Sequence, residues 1–217
     1  MDPRHLRDLL EGLENGKIKA EEAYQRLKTL PFEDLGFARI DHHRALRTGY
    51  PETIFCQGKT PAQILAIAQH LLADGPPALG TRLAPEAAAL LRQHYPQAEY
   101  DELARTALIF PEEYSPPPQR GYITLVSAGT ADLPVAREAL VTARSMGARV
   151  ETVFDAGVAG IHRLLASAET LRQAHVVVVV AGMEGALASV VGGLVDAPVI
   201  AVPTSIGYGA SFGGLAP

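Results

Sequence analysis

The sequence predicts an α/β protein with a C-terminal Rossmann-like three-layer sandwich built on a parallel sheet and a smaller N-terminal α+β domain. Residues 175–193 read HVVVVVAGMEGALASVVGG, and the five consecutive valines show no alternation of apolar and polar positions. Such a run is typical of an interior strand of a parallel sheet, which is buried on both faces. Around it, strand and helix patterns alternate over residues 122–202 with short turns between them. This alternation predicts parallel strands joined by right-handed crossovers.

Composition and charge exclude several classes of protein. The chain carries a net charge of −5 and has no basic run, which argues against nucleic-acid and membrane-surface partners. The apolar runs at residues 176–181 and 197–203 are far shorter than the ~20 residues that cross a bilayer. The first ten residues contain acids and no apolar core, so we expect no signal peptide. With Cys56 as its single cysteine the chain can form no internal disulfide, and we expect a cytoplasmic location.

The N-terminal part begins with a predicted helical hairpin. Asp2-Pro3 places a capping side chain before a proline, which favours a helix start. Asn15-Gly16 ends that helix, and a second helix is predicted over residues 20–30. Its predicted buried side carries Ala23, Tyr24, Leu27 and Leu30.

Short strands and helices follow, up to a proline-rich segment. We predict strands at residues 37–41, 52–55, 79–83 and 106–109, and helices at 61–73 and 85–94. Residues 111–120 read PEEYSPPPQR, and three consecutive prolines favour an extended connector. We therefore expect an N-terminal domain over residues 1–112, a linker over 113–120 and a nucleotide-binding domain over 121–217.

Two motifs in the N-terminal part suggest sites that the spacing does not support. Gly58-Lys59-Thr60 resembles the end of a phosphate-binding loop, but the first glycine of that loop would fall at Thr53. Asp41-His42-His43-Arg44 offers possible metal ligands, but adjacent residues of a strand point to opposite faces. No spacing of potential ligands indicates a particular metal, so the metal content is left open.

The chemistry-bearing residues of the C-terminal part follow its predicted strands. These strands lie at residues 122–126, 148–154, 176–181 and 198–202, with helices at 131–146, 160–173 and 184–195. Because parallel strands all end at one edge of a sheet, the turns that follow them should meet there. Backbone N–H groups at helix starts, with hydroxyls beside them, can bind phosphate. The candidate residues are Ser127, Gly129, Thr130, Ala131, Asp132, His162, Arg163, Gly182, Met183, Glu184, Gly185, Pro203, Thr204 and Ser205.

Each candidate alone also has an ordinary structural interpretation. Asp132 and Glu184 could be acids favoured by a helix dipole, Ser127 and Thr130 could be helix caps, and His162 could be a packed core histidine. The convergence of four such turns favours a ligand site. The absence of a G-x-G-x-x-G motif after the first strand of this part argues against a nicotinamide-dependent dehydrogenase.

These turns resemble the LarB family, carboxylase/hydrolases of nickel-pincer nucleotide cofactor biosynthesis, which is related to PurE, the carboxyaminoimidazole ribonucleotide mutase. The matching segments are GKTP at 58–61, SAGTADLP at 127–134, GVAGIHRLL at 157–165, AGMEGALASVVGG at 181–193 and AVPTSIGYG at 201–209. The Gly-Ser-x-Ser-Asp turn of PurE is matched in weakened form at residues 129–132, and its Ala-His-Arg turn at Ile161-His162-Arg163. Its Ala-His-Leu-Pro-Gly segment is replaced by Glu184-Gly185-Ala186-Leu187, and this loss of a histidine favours LarB over purine chemistry.

The resemblance implies a substrate, a reaction and an assembly. The ring of nicotinic acid adenine dinucleotide would be carboxylated with CO2 or bicarbonate, and its phosphoanhydride hydrolysed to release AMP. Glu184, His162 and Asp132 would be the catalytic residues: Glu184 as base, His162 orienting the ring or phosphate, and Asp132 with Ser127 and Thr130 holding ribose and phosphate. No tightly bound cofactor is implied, and Mg²⁺ is a candidate metal. PurE relatives form octamers, so we expect a homo-oligomer, packed partly through the small residues of 185–195.

Two alternatives to the LarB reaction stay open. One is a PurE-like mutase that acts on an aminoimidazole ribonucleotide, and the other is a nucleotide-binding module without catalysis. In the LarB family the ring nucleophile is a cysteine beyond the Gly-Tyr-Gly-Ala-Ser-Phe-Gly-Gly turn, matched here at residues 207–214, and the sequence ends at Pro217. Cys56 lies at a position that the family does not use. We therefore expect either a truncated chain or a member without the carboxylation step, with a mobile tail over 204–217.

Overall fold

A computed structural model of the chain describes residues 3–28, 32–73, 75–114, 116, 118–182 and 185–205. The chain divides into two compact units, residues 1–115 and 116–217. Within the described residues, no helix is both long enough and apolar enough to cross a membrane.

The N-terminal unit combines a helical hairpin with a small mixed sheet. Its helices are α1 (Pro3–Glu14), α2 (Ala20–Lys28), α3 (Arg44–Thr48), α4 (Pro61–Leu72) and α5 (Pro85–His94). Its strands are β1 (Glu33–Asp34), β2 (Arg39–Ile40), β3 (Thr53–Phe55), β4 (Ala78–Thr81), β5 (Glu99–Asp101) and β6 (Thr106–Ile109). The four-stranded sheet has the order β3-β4-β6-β5, with β3 parallel to β4 and β6 antiparallel to both neighbours. Alternate strand residues such as Ile54, Cys56, Ala107 and Ile109 form one core with α4 and α5.

The predicted helices α4 and α5 are confirmed almost to the residue, because their start signals are strong. In α4 the Thr60 hydroxyl accepts a hydrogen bond from the backbone N–H of Gln63, the Gln63 side-chain oxygen accepts one from the backbone N–H of Thr60, and Pro61 occupies the first turn. Strand β2 is shorter than predicted, so Asp41 and His42 lie in a turn and not on a strand. The prediction for Tyr24 was wrong, since this side chain is 59% exposed, and Leu30 lies outside the described residues.

The C-terminal unit contains a four-stranded parallel sheet in the order β10-β9-β7-β8. Its strands are β7 (Tyr122–Ser127), β8 (Arg149–Val153), β9 (Val176–Ala181) and β10 (Val199–Pro203). Its α-helices are α6 (Leu133–Ser145), α7 (Ile161–Leu165), α8 (Ala168–Arg172) and α9 (Ala186–Gly192), with 3-10 turns at Thr130–Asp132 and Val158–Gly160. The predicted α/β class and parallel sheet are confirmed.

The valine strand β9 lies between β7 and β10, and its two faces enter different cores. Val177 and Val179 pack with residues of α7, α8 and α9. Val180 belongs to a second core with Ala136 and Leu140 of α6. Because alternate residues of a strand point to opposite faces, both sides of β9 are covered, as the unbroken valine run predicted.

All three helices predicted in this unit differ in length from the structure. The helix predicted over residues 131–146 is α6, which spans Leu133–Ser145. The helix predicted over residues 160–173 is divided at Ala166-Ser167, where the Ser167 N–H donates to Leu164 three residues back, which tightens the turn. The last helix begins at Ala186, because Gly185 adopts a left-handed conformation (φ 66°) that a helical turn does not allow. The tail residues 206–217 lie outside the described residues.

Candidate functional site

The four parallel strands of the C-terminal unit end at a common edge. The registers pair Val126 with Val153, Ser127 with Val180, and Ala181 with Pro203, so the strand ends are aligned. The described residues 128–132, 154–160, 182 and 204–205, which follow these strands, therefore all leave from this edge. Backbone hydrogen bonds continue the sheet by one step, since the Ala128 N–H donates to Val180 and the Thr204 N–H to Ala181, both at 3.0 Å.

Asp132 joins two of these turns through its carboxylate. Oδ2 accepts from the backbone N–H of Gly129 at 3.0 Å, and Oδ1 accepts from the hydroxyl of Thr204 at 2.7 Å. Asp132 and Thr204 are 6% and 3% exposed. The Gly129 N–H, a predicted phosphate donor, already has an acceptor in the Asp132 carboxylate.

Ser127, Asp155 and Arg163 form a second connected group at the same edge. The Ser127 hydroxyl, which is fully buried, accepts from the backbone N–H of Asp155 at 3.3 Å. Asp155 has a left-handed backbone (φ 56°), a conformation that aspartate tolerates better than most residues. Its Oδ2 lies 2.6 Å from Nη1 of Arg163, and both side chains are exposed.

Gly157 lies in the turn at residues 154–160 and allows it to approach the turn at 128–132. Gly157 was not among the predicted site residues. A Cβ atom at this position would lie 2.8 Å from the backbone oxygen of Ala128, closer than such atoms approach. The only sequence feature that could have indicated this role is the position of the glycine, two residues into the turn predicted after a strand. Many loops have a glycine at such a position. The two turns can therefore approach each other this closely only with glycine here.

The predicted residues separate into buried and accessible groups. Ser127, Asp132 and Thr204 are buried and hold the turns together. His162 is exposed and so is not a core histidine; within the described residues its side chain forms no hydrogen bond or ion pair with the other candidates. The exposed candidates are Thr130, Ala131, His162, Arg163, Pro203 and Ser205, while Gly129, Gly182 and Gly185 are partly exposed. Met183 and Glu184 lie outside the described residues.

Cys56 does not have the surroundings of a nucleophile. It is 3% exposed, and burial raises the pKa of its thiol to about 11, although the Lys59 ammonium acts weakly in the opposite direction. The reactive form of cysteine is the thiolate, so this thiol is inert near neutral pH.

We expect native Cys56 to resist alkylation. Iodoacetamide at pH 7.5 should leave the folded chain unmodified over an hour and should alkylate it fully in guanidinium chloride, because unfolding exposes the thiol and returns its pKa to about 8.5. Intact-mass spectrometry measures the added group. Rapid stoichiometric alkylation of the folded chain would contradict the inert environment described for this thiol.

Two histidines of the N-terminal unit, His42 and His70, meet a carboxylate that the sequence does not place beside them. Oε2 of Glu33 lies 3.0 Å from Nε2 of His42 and 2.9 Å from Nδ1 of His70 on α4. Asp41 instead pairs with Arg47 at 2.6 Å. Among the residues that the structure describes, no group of three or more histidine, cysteine or acidic side chains could hold a metal ion.

The Glu33 contacts predict a pH-dependent contribution to stability. Partial burial acts to raise the pKa of Glu33, but the hydrogen bonds from His42 and His70 outweigh it and hold this pKa below its usual 4.5. A carboxyl group with a lowered folded-state pKa stabilises the fold above its unfolded pKa, and this contribution is lost as the pH falls through the folded value.

Replacing Glu33→Gln should therefore lower the free energy of unfolding by about 1 kcal/mol at pH 7, the usual size for a partly buried hydrogen bond. The difference from wild type should shrink below pH 4.5. Urea denaturation at a series of pH values measures both, with Glu21→Gln on the exposed face of α2 as the control. If the free-energy difference between wild type and Glu33→Gln stays constant down to acid pH, the charge of Glu33 does not contribute to stability.

Comparisons with known proteins identify a family and a relative that this chain resembles. Residues 32–111 match the family model described as the LarB/PurE-like N-terminal domain. An uncharacterized protein of Methanocaldococcus jannaschii is 36% identical over 215 residues, which cover 95% of this chain and 83% of the relative.

Proposed function

The chain belongs to the LarB family, a family of the carboxylase/mutase type, and on this basis we propose that it acts on nicotinic acid adenine dinucleotide. It would carboxylate the pyridinium ring and hydrolyse the phosphoanhydride, giving pyridinium-3,5-biscarboxylic acid mononucleotide and AMP for nickel-pincer nucleotide synthesis. The observation that carries the proposal is the sheet edge at which four small-residue turns converge. The proposal includes a Rossmann-like, PurE-like arrangement of residues 121–217 and a linker at 113–120.

The exposed groups at the edge suit a dinucleotide. Thr130 and Ala131 are exposed in the first turn and Ser205 is exposed after the last strand, so the hydroxyl groups of Thr130 and Ser205 are accessible to phosphate oxygens. His162 and Arg163 stand exposed at the start of α7 and can orient the ring or a phosphate. These residues bind and align the substrate, while Ser127 stays buried behind them.

The carboxylation step needs a nucleophile and a base. A pyridinium ring is electrophilic, so a nucleophile must first add to a ring carbon, which moves an electron pair onto the ring nitrogen and leaves an enamine-like ring. This ring attacks CO2 to form the new C–C bond. A base then removes the proton from that carbon, and departure of the nucleophile restores the aromatic ring. Glu184 is the proposed base. The nucleophile would be the cysteine that the family carries beyond the turn matched at residues 207–214, since Cys56 is buried with a raised pKa.

We also propose a co-substrate, a metal to test, a location and an assembly. The co-substrate would be CO2 or bicarbonate, with no tightly bound cofactor and with Mg²⁺ as the metal to test. We propose a cytoplasmic homo-oligomer, octameric as in PurE relatives, with α9 at an interface. Ala186, Ala188, Ser189 and Gly192 of this helix have small side chains that let a neighbouring backbone approach closely.

One incubation tests the reaction and separates its two steps. The 217-residue chain is mixed with nicotinic acid adenine dinucleotide, Mg²⁺ and carbon-14 bicarbonate, and chromatography follows AMP and labelled ring product. Release of AMP with label in the ring would support both steps. AMP without label would restrict the proposal to hydrolysis, and binding without AMP would identify a nucleotide-binding module.

A further inference from the structure

Asp132 is enclosed by the protein, and each of its carboxylate oxygens already has a donor. Oδ2 accepts from the Gly129 N–H and Oδ1 from the Thr204 hydroxyl, while the residue is 6% exposed. A buried carboxylate is tolerated only where donors satisfy it, and hydrogen bonds to a charged group are roughly twice as strong as neutral ones. These two bonds therefore fix the Asp132 side chain in one place.

The Thr204 bond connects strands that are not neighbours. In the sheet order β10-β9-β7-β8, strand β9 separates β10, which Thr204 follows, from β7, which precedes Asp132. The Thr204 backbone N–H is itself attached to Ala181 at the end of β9. The Thr204–Asp132 bond therefore passes across the carboxyl end of β9, where the chain leaves the sheet after Ala181.

We infer that Asp132 is a positioning residue of the nucleotide site and makes no direct contact with the ligand. It holds the turn after β7 through Gly129 and the residue after β10 through Thr204, and so sets the spacing between the exposed Thr130 and Ser205. The inference rests on the proposed function for the location of the ligand. It differs from the family resemblance, which would give Asp132 a direct contact with ribose.

Matched substitutions at Thr204 separate the two roles. Thr204→Val removes the hydroxyl while keeping the branched shape, and Thr204→Ser keeps the hydroxyl. If Asp132 acts through Thr204, the valine variant should bind AMP about 10-fold more weakly, the scale of a lost hydrogen bond to a charged group. The serine variant should stay within about twofold of wild type, since it retains that hydrogen bond. Isothermal titration of the 217-residue chain with AMP measures the affinities, with Thr152→Val at an exposed position of β8 as the control.

A double-mutant cycle provides the second readout. Asp132→Asn and Thr204→Val break the same connection, so the double variant should bind AMP no more weakly than Asp132→Asn alone. Additive losses would show that Asp132 and Thr204 affect AMP binding independently of each other, and would overturn the inference. So would wild-type affinity in Thr204→Val. If Asp132→Asn shows no cooperative thermal unfolding, the comparison of Thr204→Val with Thr204→Ser alone tests the inference.

The outcomes also distinguish this inference from the proposed function. A wild-type chain that binds AMP but releases none from nicotinic acid adenine dinucleotide contradicts the proposed reaction and leaves the Thr204 comparison valid. A wild-type chain that binds neither nucleotide overturns both.

Discussion

Replacing Leu164→Ala is expected to lower the free energy of unfolding of the C-terminal unit by about 3 kcal/mol. Leu164 is fully buried and packs in the core that also contains Val177 and Leu187. It is the one buried residue of the five-residue helix α7. Truncation to alanine leaves a cavity, and it removes the anchor of the helix that carries His162.

The adjacent residue supplies a matched control. Leu165 is 49% exposed, so Leu165→Ala should cost less than about 0.5 kcal/mol, as surface substitutions usually do. Guanidinium denaturation of both variants measures the free energies, and AMP titration measures the consequence for the site. Equal destabilisation by the two substitutions would contradict the described orientation of α7.

In a chain that includes the family's nucleophilic cysteine segment, replacing Glu184→Gln is expected to lower the rate of label incorporation into the ring by ~10²-fold or more, the usual scale for a lost general base. Affinity for nicotinic acid adenine dinucleotide should change only within a few fold, because the amide keeps the size of the carboxylate. Glu184 lies outside the described residues, two positions before α9 begins, so this expectation rests on the family resemblance.

The control for Glu184 is another acid near a helix start. Glu169 is exposed in the first turn of α8, and Glu169→Gln should leave label incorporation unchanged. Unchanged turnover in Glu184→Gln would show that this residue only stabilises the helix dipole. A wild-type chain that incorporates no label would contradict the proposed carboxylation itself.

The helices and strands that were predicted correctly are those with a strong sequence pattern within a few residues. The valine run gave the position of β9 inside the sheet, because burial on both faces leaves no polar position in the strand. The start of α4 was predicted correctly at Pro61, and the structure caps this helix with Thr60 and Gln63. Strand β5 was missed because Glu99-Tyr100-Asp101 has no apolar alternation, and its pairing with β6 depends on tertiary context.

The polar contacts of the site depended on residues far apart in the chain. The parallel sheet predicted that Ser127, Asp132 and Thr204 lie near one edge. It could not predict that the Asp132 carboxylate is satisfied by Thr204, 72 positions later. The Glu33–His70 contact likewise spans 37 positions and has no local signature. Such contacts follow only once the strand order and side-chain rotamers are known.

The strand order of the C-terminal unit also restricts how the unit can assemble. Strand β7, the first to be synthesised, ends in the interior of the sheet with β8 on one side and β9 on the other. The sheet can therefore grow outward from β7 as the chain leaves the ribosome, with β8 added first, then β9 and finally β10. Until β10 arrives, the buried valines of β9 form an open, apolar sheet edge, which is the kind of surface that pairs with other chains. Newly made chains would therefore be most prone to aggregation during the synthesis of residues 182–203.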